Sequence, residues 1–290
     1  MESQNPLVSI IVPSFQQGAY LRDCIGSIVS QEGVAVEILV FDSESTDNSP
    51  HILKEFEGLV RITIERDLGQ AHAVNKGLRQ SKGDIVGFLN SDDILLPGSL
   101  QRVVEYWVRN PKTDLLYGKA RYIDQEGEVI GEYRTREWDW DKFQGECFIC
   151  QPAAFWSRRI MEGIGKLDQS LTCSMDYDYW LRIGQAGGRV AYLDEYLACS
   201  RDYPQTKTRN LRGTVFIENF RLSLKRLGYV HGFWISQYLD YFKYETKPIW
   251  AQIIPAPGRA RNSLSQLLQA FSRLWARDVQ IVESPKRRVL

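Results

Sequence analysis

The sequence predicts an α/β fold, a mostly parallel sheet with helices on both faces, followed by a helical C-terminal segment. Three observations predict it. β-Branched runs alternate with segments of helical apolar spacing through the first hundred residues. The connections between them are short and rich in turn residues. From about residue 209 the pattern becomes helical throughout.

Val8 to Val12 is a continuous apolar run stopped by Pro13, as a strand buried on both faces requires. Leu21, Cys24, Ile25, Ile28 and Val29 then recur at the spacing of a one-sided helix. Val36 to Phe41 is a second strand that ends at Asp42. The polar stretch 42–47 is a loop, with Asp47 the preferred cap for a helix carrying Ile52, Leu53 and Phe56. Val60 to Glu65 is a third strand, and Gln70 to Ser81 a helix. Asp84 to Leu89 is a fourth strand, broken by Asn90-Ser91-Asp92-Asp93. A helix from about Gly98 carries Leu100, Val103, Val104 and Trp107 on one face. Further on, 115–118, 120–124 and 128–133 read as an antiparallel meander. Segments 151–156 and 189–193 read as strands, and Asp176 to Ile183 sits at a helix start. The expected organisation is a domain over 1–210, divided near 113 into two halves, and a helical extension over 211–290.

Composition narrows the class. Of 290 residues, 43% are hydrophobic and 25% charged, enough for a sizeable core. Zero formal net charge argues against a dedicated nucleic-acid binder. The charge is uneven, with net +5 from Arg259 onward and net −5 before it. The start, Met-Glu-Ser-Gln-Asn-Pro, has neither a basic nor an apolar region of a secretion signal, and no window reaches membrane-spanning length. Five cysteines without a framework suit a reducing cytoplasm. The lone Cys147-x-x-Cys150 lacks the partners of a zinc site and reads as two buried thiols. The three histidines form no nucleophile–base or metal pattern, so hydrolase chemistry has little support.

In open parallel sheets ligands bind at the carboxyl ends of the strands. That rule selects Asp42 and the 90–93 segment. Both are acidic where a phosphate-binding fold shows glycine-rich turns, so a bound nucleotide diphosphate here needs a metal, and carboxylates suit Mg²⁺ or Mn²⁺.

The motifs resemble those of family 2 glycosyltransferases. Val8-Ser9-Ile10-Ile11-Val12-Pro13-Ser14-Phe15 looks like their opening strand, and Val40-Phe41-Asp42-Ser43-Glu44-Ser45-Thr46-Asp47 like their second-strand motif. Gly69-Gln70-Ala71-His72-Ala73-Val74-Asn75-Lys76-Gly77 is similar to a helix that carries an asparagine near the donor. Gly83 to Asp93 looks like the segment carrying the metal-binding D-x-D. Met175-Asp176-Tyr177-Asp178 resembles the helix start with the catalytic base, and Arg201-Asp202-Tyr203-Pro204-Gln205-Thr206-Lys207-Thr208 a late loop reading Arg-x-His-Pro-x-Ser-Lys-Thr. The departures are Asn90 for the first Asp of D-x-D, Ser43 and Glu44 in the second motif, Val74 for an arginine, Met175 for a glutamate and Tyr203 for the late histidine.

The resemblance implies a GT-A fold and an inverting, metal-dependent transfer of sugar from a nucleotide diphosphate to a hydroxyl of a glycan or lipid-linked glycan, in surface polysaccharide synthesis. It implies Asp176 as the general base and Asp92, with Asp93 close by, as ligands of Mn²⁺ or Mg²⁺. Pro13, Ser14, Phe15, Asp42, Gln70, Asn75, Asn90, Ser91, Asp92, Arg201 and Lys207 are the implied donor-binding residues. Asp42 favours a UDP- or dTDP-linked donor, because a carboxylate accepts the imide N–H of uracil or thymine. Each residue also has a plainer reading. Asp92 and Asp93 suit a turn and helix cap, Asp176 or Asp178 a helix N-terminus, and Arg201 and Lys207 a solvated loop.

Trp138, Trp140, Phe143, Phe148, Phe155 and Trp156 suit a core cluster first and a sugar-stacking wall second. Leu264, Leu267, Leu268, Phe271, Leu274 and Trp275, flanked by Arg273 and Arg277, suit equally a packed helix or an interfacial helix on an anionic membrane. The implied location is therefore cytoplasmic, with a peripheral place on the inner membrane face under the second alternative. Two rival classes are a degenerate nucleotide-sugar-binding or scaffold subunit, suggested by Asn90 and Met175, and a nucleotidyltransferase. The latter lacks its Gly-rich basic signature near the first strand.

Overall fold

A computed structural model describes residues 6–244. One sheet runs through it. Strands β1 (Val8–Ser14), β2 (Val36–Asp42), β3 (Arg61–Ile64) and β4 (Ile85–Phe88) are parallel, in the order β3-β2-β1-β4. The sheet continues through β8 (Ala154–Ser157), β6 (Leu115–Ile123), β9 (Val190–Arg201) and the two-residue β5 (Ile94–Leu95), with β7 (Val129–Glu132) paired to β6. β6 and β9 are parallel, while β8, β7 and β5 pair antiparallel.

Every residue of β1 is buried, and its alternation assigns the two faces. Val8, Ile10 and Val12 join a core with Leu21, Cys24, Ile25 and Ile28 of α1 (Leu21–Val29), Ile52 and Leu53 of α2 (Ser49–Glu55), and Leu100, Val103, Val104 and Trp107 of α4 (Ser99–Arg109). Ile11 points the other way, onto Gly77 of α3 (Gln70–Gln80). Asp47 accepts the N–H of Ser49 at 3.0 Å and that of Gly18 at 2.8 Å, but the N-cap of α2 is Asn48, one residue later than expected.

The second half departs more from the sequence reading. The expected first two strands of the meander are one strand, β6, because Gly118 and Lys119 carry register shifts instead of a turn. Segment 151–156 begins as a 3₁₀ turn (Gln151–Ala153) before β8. β9 runs eight residues past its expected end at 193, to Arg201. That extension carries its end to the β4–β5 loop. Helices α5 (Trp140–Phe143) and α6 (Arg158–Ile164) carry no clear apolar period, while α7 (Met175–Gln185) starts where the Asp176 motif placed it. α8 (Lys207–Asn210), α9 (Arg212–Leu227) and α10 (Gly232–Tyr244) follow.

Two compact units divide the chain, one formed by residues up to Phe143 with Cys147–Glu218, the other by Gln144–Glu146 with the chain from Asn219. The first holds the entire sheet. In the second, Tyr229 donates its hydroxyl to Gln144 Oε1 at 2.7 Å, and the Phe220 and Tyr238 rings lie 5.4 Å apart. No helix among the described residues is long and apolar enough to cross a membrane. The basic tail and its amphipathic segment 264–275 lie outside the described residues. The five cysteines are thiols. Cys150 is buried as expected, whereas Cys147 is half-buried.

Gly77 and Gly26 form a direct test of this packing. A Cβ at Gly77 would stand 2.7 Å from Ile11 Cγ1 and overlap Cγ2, whereas one at Gly26, inside α1, meets nothing within 4 Å. In urea titrations Gly77→Ala is expected to lose ~1–3 kcal/mol by overpacking. Gly26→Ala should gain ~0.4–1 kcal/mol by reducing unfolded-chain freedom. A loss at Gly26 comparable to that at Gly77 would contradict the helix–strand contacts described.

Candidate active site

The carboxyl ends of β1 and β2 are tied by Asp42. It is 1% exposed; its Oδ2 accepts the hydroxyls of Ser14 and Ser45, both at 2.8 Å, and its Oδ1 accepts the Ser45 N–H at 2.8 Å. The two loops then touch, with Gln16 N–H donating to Ser45 Oγ at 2.8 Å and its side-chain amide to Thr46 Oγ1 at 2.9 Å. Gln16 and Glu44 both hold left-handed backbone, at φ 55° and 54°, which side chains other than glycine adopt only under constraint. Pro13 and Ser14 are buried beneath this rim, and Phe15 stands 59% exposed on it.

From the end of β4 a chain of hydrogen bonds crosses four segments. Asp93 accepts the Arg201 N–H at 2.9 Å and the Asn90 amide at 3.1 Å. Asn90 Oδ1 accepts from Gln70 Nε2 at the start of α3, and Gln70 Oε1 accepts from Lys207 Nζ at 2.7 Å. Lys207 also reaches the Thr172 carbonyl at 3.2 Å. Asn90 therefore works in both directions. Its amide donates to a carboxylate that an aspartate at 90 would repel. Burial, and then the charge of Asp92, push the Asp93 carboxyl far above the ordinary range.

Asp92 stands differently. Its Oδ2 accepts the Tyr203 hydroxyl at 3.0 Å, and that hydroxyl accepts from Gln17 Nε2 at 3.3 Å. Burial raises the Asp92 pKa, against the Tyr203 bond and the charges of Arg201 and Lys207. Among the described residues no three acidic, histidine or cysteine side chains are grouped to hold an ion by themselves. One half-buried carboxylate in the loop after β4 fits a divalent ion that takes most of its ligands from a diphosphate.

Two of the implied donor-binding residues are engaged by the protein itself. The first is Arg201. It is 4% exposed, its Nε donates to the Asp92 carbonyl at 2.9 Å, and its Nη1 to the carbonyls of Asp124 and Gln125 at 2.7 and 2.8 Å. Its guanidinium lies 4.6 Å from the Tyr20 ring centroid. Asn75 likewise faces inward. It is fully buried, and its carboxamide exchanges two 2.9 Å bonds with the backbone of Leu167. Both residues were read as ligand contacts because polarity alone does not distinguish a donor aimed at substrate from one aimed at backbone. Ser91 is buried in the same loop.

The start of α7 separates its two carboxylates. Asp178 is fully buried and paired to Arg182 at 2.9 Å, while Arg182 also caps the carbonyls of Ile164 and Lys166, each at 2.8 Å. Asp176 is half-buried, and its Oδ1 accepts the Tyr177 N–H at 2.8 Å. Burial pushes its pKa up to about 6, opposed by that bond and by Lys207. The surrounding protein makes it a stronger base.

Sequence reasoning missed Gln16, Gln17, Tyr203 as a partner of Asp92, and Glu218. The last accepts the N–H groups of Thr172, Cys173 and Ser174. No local pattern marks such long-range pairs. The aromatic group divides. Phe143, Phe148, Phe155 and Trp156 are core, while Trp138 and Trp140 are half-buried, Trp138 beside Phe143 and Phe148 and Trp140 beside Trp138.

A parallel sheet with acidic strand ends and an acidic helix start defines a GT-A glycosyltransferase fold. It is similar to the mannosyltransferase from Pyrobaculum calidifontis in complex with GDP-Man and Mn²⁺, at TM-score 0.64 and 17% identity over 95% of this chain and 89% of that one. It is also similar to TarS of S. aureus in complex with UDP, at TM-score 0.62 and 16% identity over 86% and 75%. The model of Glycosyl transferase family 2 matches residues 9–165, and the chain belongs to that family. Among relatives, an uncharacterised glycosyltransferase of Methanocaldococcus jannaschii is 27% identical over 68% of this chain and 71% of its own. A chondroitin synthase of Escherichia coli is 26% identical over 63% of this chain, which spans 27% of that enzyme. An O-antigen biosynthesis protein of Myxococcus xanthus is 27% identical over 69%, and the chain spans 16% of it.

The two α7 carboxylates should fail differently. Asp178→Asn is expected to lower stability by about 3 kcal/mol, since it leaves a buried guanidinium without its charge partner. Asp176→Asn should leave the melting temperature within a degree or two. Equal melting temperatures for the two variants would refute this division.

Proposed function

We propose that the protein is an inverting glycosyltransferase that moves a sugar from a nucleotide diphosphate to a hydroxyl of a glycan or lipid-linked glycan acceptor, in surface polysaccharide synthesis. The observation that carries this is the placement of Asp176. A half-buried carboxylate with a pKa near 6 lies within the electrostatic reach of Lys207, while the neighbouring Asp178 is locked to Arg182. The relatives in chondroitin and O-antigen synthesis support the class of product.

In this reading Asp92 holds a Mn²⁺ or Mg²⁺ ion, which when bound supplies positive charge to the diphosphate leaving group. Lys207 lies at the same end of the cleft and adds its ammonium to that group. Gln70 and Asn90 hold Lys207 and Asp93 in place. The exposed rim of Phe15, Gln16 and Glu44 over Asp42 receives the base, a UDP- or dTDP-linked donor being favoured because the Asp42 carboxylate accepts the imide N–H of uracil or thymine. Asp176 accepts the proton of the acceptor hydroxyl as that oxygen bonds to the anomeric carbon and the bond to the diphosphate breaks. A subunit that binds nucleotide sugar without turnover is the second reading. Asn90 and Met175 suggest it, while the bonds of Asn90 to Gln70 and Asp93 support the first reading.

The metal reading is tested by melting temperature with UDP, dTDP and GDP, each with and without Mn²⁺. A ligand at a hundredfold excess over its Kd stabilises by ~2.7 kcal/mol. Asp92→Ala should lose the Mn²⁺-dependent part, and an unchanged response refutes the assignment.

The base is tested by kinetics. Asp176→Asn should lower kcat by ~10² to 10⁴ with donor KM little changed. Because the base acts when ionised, wild-type kcat should fall as pH drops through about 6. Near-normal transfer by Asp176→Asn, or a flat profile between pH 5 and 7, would move the base elsewhere.

A further inference from the structure

The turn that precedes Asp176 is held by a residue from another part of the chain. Glu218, 6% exposed in α9, accepts the Thr172 N–H at 2.7 Å through Oε1, and the N–H groups of Cys173 and Ser174, both at 2.9 Å, through Oε2. Three successive amides thus converge on one carboxylate, as in a backbone anion nest. Ser174, the residue that would cap α7, makes no side-chain cap bond, and its buried hydroxyl has no hydrogen-bond partner among the described residues. The carboxylate of α9 takes over that duty from 44 residues away. A buried carboxylate is tolerated because each bond is charge-assisted.

The same turn meets the candidate site. The Thr172 carbonyl accepts Lys207 Nζ, and Asp176 follows two residues after the clamp. We propose that Glu218 is a positioning residue for sugar transfer, fixing the Thr172–Ser174 turn so that Asp176 and Lys207 keep the spacing that acceptor and leaving group need. This rests on Asp176 being the base. It goes beyond that reading in tying the chemistry to a helix outside the family-matched residues 9–165.

Charge gives the clamp a second effect. The groups facing Asp176 are Lys207 of α8, Glu218 of α9, Cys173 beside α7, Tyr133 after β7 and Cys150 before β8. Lys207 lowers the Asp176 pKa and Glu218 raises it. Removing the charge at 218 while keeping the shape should therefore move the acidic limb of the kcat profile to lower pH.

The experiment uses the full chain and the nucleotide sugar that the wild type turns over, with Glu218→Gln, Glu218→Asp and Asp176→Asn in parallel. Glu218→Gln should lower kcat by ~10- to 10²-fold, the effect of misplacing a reacting group by about an ångström, and leave donor KM within about twofold. Its acidic limb should move down in pH. Glu218→Asp keeps the charge, so its limb should stay in place while kcat falls less. Amide exchange at 172–174 should quicken in Glu218→Gln, with β1 and β4 unaffected. If both variants lose donor affinity and melting temperature together with the limb unmoved, Glu218 is only structural and the proposal falls. It also falls, alone, if Asp176→Asn is inactive and Glu218→Gln keeps wild-type kcat and pH profile. If Asp176→Asn transfers normally, the base assignment fails and the proposal falls with it.

Discussion

The burial of Arg201 is the constraint on which the candidate site depends. A guanidinium removed from water must find acceptors, and this one finds them in three places. The Asp92 carbonyl, the carbonyls of Asp124 and Gln125, and the Tyr20 ring all meet it, with Asp23 at 3.8 Å. Its own N–H goes to Asp93. One side chain therefore joins the β4–β5 loop, the β6–β7 hairpin and α1. It can do so only because β9 runs on past its bulged pairing with β6, from Tyr196 to the strand end. The register shifts at Gly118 and Lys119 are thus part of the site's construction, although they lie in the sheet.

Around that anchor the carboxylates divide into two kinds. Asp42, Asp93, Asp178 and Glu218 are buried, and their oxygens receive hydroxyls, amides or a guanidinium from the protein. Asp92 and Asp176 are half-buried, each with one oxygen engaged by a single uncharged donor. The first group holds loops in shape. The second group is more exposed, as the proposed metal and proton-transfer roles require.

The fold was legible from the first hundred residues because each strand there is a short apolar run bounded by turns, and each helix shows one apolar stripe. Legibility fell where local pattern and tertiary context diverge. Gly118 and Lys119 look like a turn and are a bulge. Arg158 to Ile164 forms a helix started by Ser157, whose hydroxyl accepts the Ile160 N–H, without an apolar stripe to announce it. In the candidate site, the nearness of Gln70, Asn90, Asp92 and Lys207 was legible from their positions at strand ends and in motifs, whereas the bonds that hold Asn75 and Arg201 were not. What distinguishes these two is the backbone of residues far along the chain. Glu218 has no motif at all, and only the folded chain brings it to the turn before α7.

The carboxamide at Asn90 has an evolutionary consequence. It joins a donor, Gln70, to an acceptor, Asp93, so neither neighbour is free to drift alone. A lineage that exchanges Asn90 for aspartate places like charges side by side, and must then recruit a cation or remove the acid at 93. Positions 70, 90 and 93 therefore form one inherited unit, and substitutions there should travel together through descent rather than accumulate singly.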